Sequence, residues 1–106
     1  MAIVQAVCNT FKQELLESKH DFANGGDTFK IALFTSSATL GATTTDYTTS
    51  DETTNSSGSA YVAGGQALTG QSVTGGSAAT TAYVDWSNDP NWTSASFTAR
   101  GAMIYN

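Results

Sequence analysis

The stretch DTFKIALFTSS (residues 27–37) decides how the rest of the chain is read. Successive side chains of a strand point to opposite faces, so Phe29, Ile31 and Leu33 share one face and Lys30, Ala32 and Phe34 the other. Each face carries an aromatic and aliphatic groups. That pattern predicts a central strand covered on both sides, or one with a face used in assembly.

Upstream, AIVQAVCNTFKQELLESKHDF (residues 2–22) is the one segment with helical periodicity. Ile3, Val7, Phe11 and Leu15 recur every four residues, and Val4 and Cys8 widen the stripe. Gln5, Asn9, Lys12, Gln13 and Glu17 fall largely elsewhere on the wheel. The spacing predicts a helix over about 3–20, stopped by the turn chemistry of ANGGD (residues 23–27). Its apolar stripe needs a sheet or another subunit to cover it.

Downstream, residues 36–58 form a Thr/Ser-rich stretch in which only Leu40 and Tyr47 resemble core residues. It reads as a long surface loop with at most one short strand near 44–48, and it holds the acidic group Asp46, Asp51 and Glu52. Four glycine-separated strand candidates follow: SAYVAGG (59–65), QALTGQSVTGG (66–76), AATTAYVDWS (78–87) and SASFTARGAMIYN (94–106). In the third, Ala82, Val84 and Trp86 share a face; in the last, Phe97, Ala99, Met103 and Tyr105 do. The expected fold is a single α+β domain over 1–106. One N-terminal amphipathic helix packs on a mostly antiparallel sheet or sandwich of about five or six strands.

Composition narrows the function classes. Charged residues make up only 12% of the chain, about half the usual share, which leaves a hydroxyl-rich surface poorly guarded against association. The net charge is -5, and Lys12, Lys19, Lys30 and Arg100 are scattered, which argues against nucleic acid as the main partner. Cys8 is the only cysteine, so no intrachain disulfide forms, and it reads as a small buried hydrophobe. No window approaches the roughly 20 apolar residues needed to span a bilayer, and no secretory signal is visible; the expectation is a chain made in a cytoplasm, with no membrane partner.

No catalytic group is nominated. His20 beside Asp21 cannot face it across a helix end, and a cation there favours the helix dipole. One His and one Cys cannot close a zinc site, and the acidic clusters lack the glycine-pivoted loop of a calcium site. The glycines form no phosphate loop. No metal, cofactor or enzymatic activity is therefore expected. Trp86, Trp92, Tyr61 and Tyr47 would serve a glycan-binding β module as a stacking platform, a reading from another class.

Three pieces taken together resemble a known group: VCNTFKQELLESKHDF…DTFKIALFTSSATLG, the central Y…AGG..LTG, and the ending W…FTARGAMIYN. They are similar to small structural proteins encoded among the virion genes of tailed bacteriophages. The resemblance covers most of the chain and is strongest at its two ends, in core and turn residues. It implies a particle component made in the host cytoplasm: a capsid decoration (cement) protein on the head shell, or alternatively a neck or tail component. The implied partners are other virion proteins and further copies of the chain, in a trimer or other small ring. Chains with this ending continue past IYN into another hydrophobic strand, so the resemblance implies a shorter member or a sequence incomplete at its C-terminus.

The residues expected at a subunit interface are Ile3, Val7, Phe11, Tyr47, Trp92, Arg100, Met103, Ile104 and Tyr105. The final stretch, apolar and without a polar tail, is expected either inside the sheet or at an edge that a neighbouring subunit covers.

Overall fold

The computed structural model describes residues 2–54, 61–76, 80–93, 95 and 97–106. The elements run α1 (Asn9–Leu16), β1 (Phe29–Phe34), β2 (Gln66–Thr74), β3 (Tyr83–Asn88) and β4 (Gly101–Tyr105). The four strands form one antiparallel sheet in the order β3-β2-β1-β4. β1 is central, as its two-sided pattern requires. Phe29, Ala32 and Phe34 are buried, and Leu33 and Ile31 are half-buried. Burying a side chain such as Phe34 fully contributes about 2–3 kcal/mol, so β1 anchors the core.

Each edge of β1 is used differently. Against β4 it pairs from Lys30 onward, from Lys30 opposite Tyr105 to Phe34 opposite Gly101. Against β2 it pairs only through Phe29, Lys30 and Ile31. Beyond that point residues 51–53 replace β2: Glu52 bridges Phe34, Thr53 N–H donates to the Leu33 carbonyl at 2.9 Å, and Thr35 N–H to that of Asp51 at 2.9 Å. β2 meanwhile runs on past β1 and pairs with β3 from Thr69 to Thr74, forming a two-stranded arm. The molecule measures 50 × 29 × 21 Å, and its radius of gyration of 15.2 Å exceeds the about 13 Å of a compact domain this size.

Four strands form among the described residues, fewer than the five or six expected. The candidate at 59–65 forms no strand at its described residues. Gly64 and Gly65 take φ of 98° and 77°, and a Cβ on Gly65 would lie 1.8 Å from the Ile31 carbonyl oxygen. The chain turns sharply there to enter β2. Residues 44–48 form no strand either, and among the described residues of the last candidate only Gly101–Tyr105 form one. The stretch after β1 is also more than a surface loop, since Ala38, Glu52 and Thr53 are buried with it. β4 lies at the sheet edge, not inside the sheet.

The helix is eight residues, not the span 3–20. Residues 3–8 are non-helical and run beside 40–42: Val4 N–H donates to the Leu40 carbonyl, Leu40 N–H to Ala2 and Asn9 N–H to Ala42, at 2.8–2.9 Å. Ile3, Val4 and Val7 are β-branched and lose rotamer freedom in a helix, so the tertiary pairing prevails. The helix also ends before ANGGD. Ser18 takes φ 60°, Lys19 N–H reaches the Glu14 carbonyl at 3.0 Å and Ser18 N–H that of Leu15 at 3.2 Å, a Schellman stop. His20 thus lies beyond the helix and does not serve its dipole. Nor is α1 an amphipathic helix packed on the sheet: none of its residues is buried, and it packs against no strand.

Candidate functional site

The two faces of the sheet are filled by different segments. On one, Ala32, Phe34 and Ala38 form a core joined by Ile3, Leu40, Tyr47, Met103 and Tyr105. On the other, Phe29 stacks on Phe22 with ring centroids 4.2 Å apart, and Trp86 meets both edge-on. Phe11 joins this layer through His20 at 4.7 Å and Phe22 at 6.0 Å.

At the junction of β1, β2 and residues 51–53 lies a buried carboxyl group. Glu52 accepts the Tyr61 hydroxyl at 2.6 Å and the Gly64 N–H at 2.8 Å, and also the Tyr47 hydroxyl. Tyr61 in turn accepts the Leu33 N–H at 2.9 Å, filling the gap in the ladder where β2 leaves β1. Tyr105 of β4 donates to the Gly64 carbonyl at 2.7 Å and stacks on Tyr47 at 4.4 Å. Burial first, and the Glu52 bond second, push the Tyr47 hydroxyl up to about 12 and move Tyr61 upward as well. Burial also raises Tyr105. Every group here is satisfied from within the chain, so the cluster is a pin that holds three segments to β1. The sequence reading placed Glu52 in a surface acidic group; it is 6% exposed.

The interface candidates converge on a neighbouring surface that Tyr47 and Tyr105 of this cluster also border. Ile3, Val7, Phe11, Tyr47, Arg100, Met103, Ile104 and Tyr105 all border one groove of about 750 Å³ between residues 3–11 and β4. Its wall is largely apolar. Val7 is 55% exposed and Ile104 53% exposed, both on a surface whose neighbours are also hydrophobic. β4 forms the groove's floor and its outer edge carries no backbone partner among the described residues. Residues 101, 103 and 105 are half-buried and 102 and 104 exposed, as the alternation in the sequence implied.

Trp92 does not join the groove. It stacks on Tyr61 at 5.5 Å and meets Phe97 edge-on at 6.3 Å, a half-buried aromatic group on the far side of the pin. Tyr61 is 3% exposed and Trp86 belongs to the Phe22–Phe29 layer, so the aromatic residues named for glycan stacking form no shared platform. Cys8 is half-buried at the start of α1, its thiol 3.6 Å from the Gly41 carbonyl.

His20 links the groove's lower end to the sheet. Its Nε2 lies 3.0 Å from Glu14 Oε1, and its Nδ1 3.0 Å from the Asn106 amide, which donates to Asp27 at 2.8 Å. Sequence reasoning missed this network, whose members lie 79 and 86 residues from Asn106 along the chain. Among the described residues no group of three or more His, Cys, Asp or Glu is arranged to hold a metal, and no helix is long and apolar enough to cross a membrane. Comparison of the chain with protein-family models, with curated proteins and with solved structures found no match.

Proposed function

We propose that the protein is a structural component of a tailed-bacteriophage virion, a decoration (cement) protein that binds the head shell through protein–protein contacts. The observation that carries this reading is the groove beside β4. It combines an apolar wall, exposed Val7 and Ile104, and a strand edge whose backbone groups have no partner among the described residues. Such an edge is an association site unless something covers it. β4 carries none of the usual guards: no lysine, proline or bulge lies in GAMIY. The alternative placement, in the neck or tail, uses the same surface.

Co-sedimentation with purified head shells and with tails of the source phage tests the reading. Saturable binding to shells is the expected result. Binding to tails alone would move the protein to the neck or tail, and binding to neither would remove the assembly role.

A further inference from the structure

The turn between α1 and β1 is fixed at its base and open at its tip. Gly26 N–H donates to the Ala23 carbonyl at 2.8 Å and closes the turn. Ala23 is held twice more: its N–H donates to Asp21 Oδ1 at 3.0 Å, and its carbonyl accepts the Gln71 amide of β2 at 2.7 Å. Asn24 and Gly25 form the tip, and both are exposed. The Gly25 N–H donates to no group among the described residues, and the Asn24 side chain bonds to none. Gly25 takes φ 85°, and the space where a Cβ would stand is empty. An asparagine side-chain amide and the next backbone nitrogen are thus neighbours, with nothing holding or screening either.

We propose that Asn24 is a site of spontaneous deamidation through a succinimide. The Gly25 nitrogen gives its proton to solvent base and attacks Asn24 Cγ. The new N–C bond closes a small ring as the bond from Cγ to the side-chain nitrogen breaks, and that nitrogen takes up a proton and leaves as ammonia. Water then opens the ring. Attack on the main-chain carbonyl leaves an isoaspartyl link that runs the backbone through Cβ, and attack on the side-chain carbonyl leaves an ordinary aspartyl residue. Water is the only co-reactant, and either product adds a negative charge. The isoaspartyl form also inserts a methylene into a turn whose base is anchored to β2. The other asparagines of the described interior are poorer candidates. Asn9, Asn88 and Asn91 precede Thr10, Asp89 and Trp92, whose side chains crowd the attacking nitrogen, and Asn9 and Asn88 lie in α1 and β3. The proposal does not depend on the assembly reading.

The test incubates the full chain, folded or unfolded in guanidinium chloride, in the same mildly alkaline buffer and then digests it with trypsin. Cleavage after Lys19 and Lys30 isolates residues 20–30, in which Asn24 is the only asparagine. Mass spectrometry reads the exchange of amide for acid, and labelling by a protein isoaspartyl methyltransferase reads the isoaspartyl share. The folded parent is expected to convert in this peptide, giving both products, while the peptides carrying Asn9, Asn88 and Asn91 stay unchanged. Asn24→Gln, whose longer side chain closes a ring poorly, should lose the conversion, with circular dichroism checking that it keeps the fold. A peptide that converts only in the unfolded chain would show that the turn protects the site, and overturns the proposal. Conversion without any isoaspartyl product would mean direct hydrolysis, and overturns the succinimide route.

Discussion

Glu52 and Tyr61 meet at 2.6 Å in the interior of the sheet, joining residues 51–53 to the segment that leads into β2. The contact explains how a chain poor in apolar residues after β1 keeps a central strand fully flanked. Where β2 leaves β1, a carboxyl group and a tyrosine hydroxyl complete the ladder.

Removing that carboxyl group breaks its bonds to the Tyr61 and Tyr47 hydroxyls and the Gly64 N–H, and leaves the Tyr61 hydroxyl only the longer 3.5 Å contact to the Leu33 carbonyl among the bonds described. Glu52→Ala is expected to cost about 2–4 kcal/mol, the penalty of losing three buried hydrogen bonds and the packing of the side chain. For a domain this small that lowers the melting temperature by roughly 10–20 °C in a thermal scan. A melting temperature within a degree of the parent's would show that the cluster holds nothing together.

The same cluster sets a limit at alkaline pH. Tyr47 ionises at about 12 in the folded chain against an ordinary 10.0, with Tyr61 and Tyr105 also raised. Between those values the unfolded chain loses the protons that the folded chain keeps, so stability falls as pH rises. Below pH 10 these hydroxyls are protonated in both states and contribute no pH dependence. Urea titrations at pH 9, 10, 11 and 12 are expected to give unfolding midpoints that fall progressively above pH 10. In Tyr47→Phe the fall should be shallower. An equally steep fall in that variant would contradict the assignment.

Two backbone positions give effects of opposite sign. Ser18 holds the left-handed conformation that ends α1, which costs a residue with a side chain about 1 kcal/mol relative to glycine. Ser18→Gly is expected to raise the melting temperature by several degrees. Gly65→Ala should instead destabilise by about 3 kcal/mol or more, because its Cβ meets the Ile31 backbone at a positive φ. Equal stability of the alanine variant would mean that the entry to β2 is built differently.

How much of this was legible in the sequence depended on whether the deciding contacts are local. The two-sided alternation of residues 29–34 is local, and β1 is central. The four-residue spacing of Ile3, Val7 and Phe11 implied a common surface, and all three border the groove. It did not imply the right backbone, because hydrogen bonds to residues 40–42 draw residues 3–8 out of the helix. Glu52 gave no signal at all. Its burial is decided by Tyr47, Tyr61 and Gly64, which no periodicity connects, and DETT reads as solvent-facing in isolation.

The groove makes its own prediction. Ile104→Asp places a charge on an exposed residue, so the fold and melting temperature are expected to stay within about 0.5 kcal/mol of the parent. Under the proposed function, binding to head shells should drop severely, since an unpaired carboxylate at a buried interface costs several kcal/mol, about 2–5. Co-sedimentation equal to the parent's would place the contact surface elsewhere.

The central claim is that the groove beside β4 is a subunit contact within a virus particle. On the proposed function, a reconstruction of the intact virion is the decisive test. The account predicts this chain on the particle, with density from another polypeptide lying against Gly101–Tyr105 and enclosing Val7 and Ile104. A particle that lacks the chain, or one in which it sits with this groove open to solvent, would contradict it.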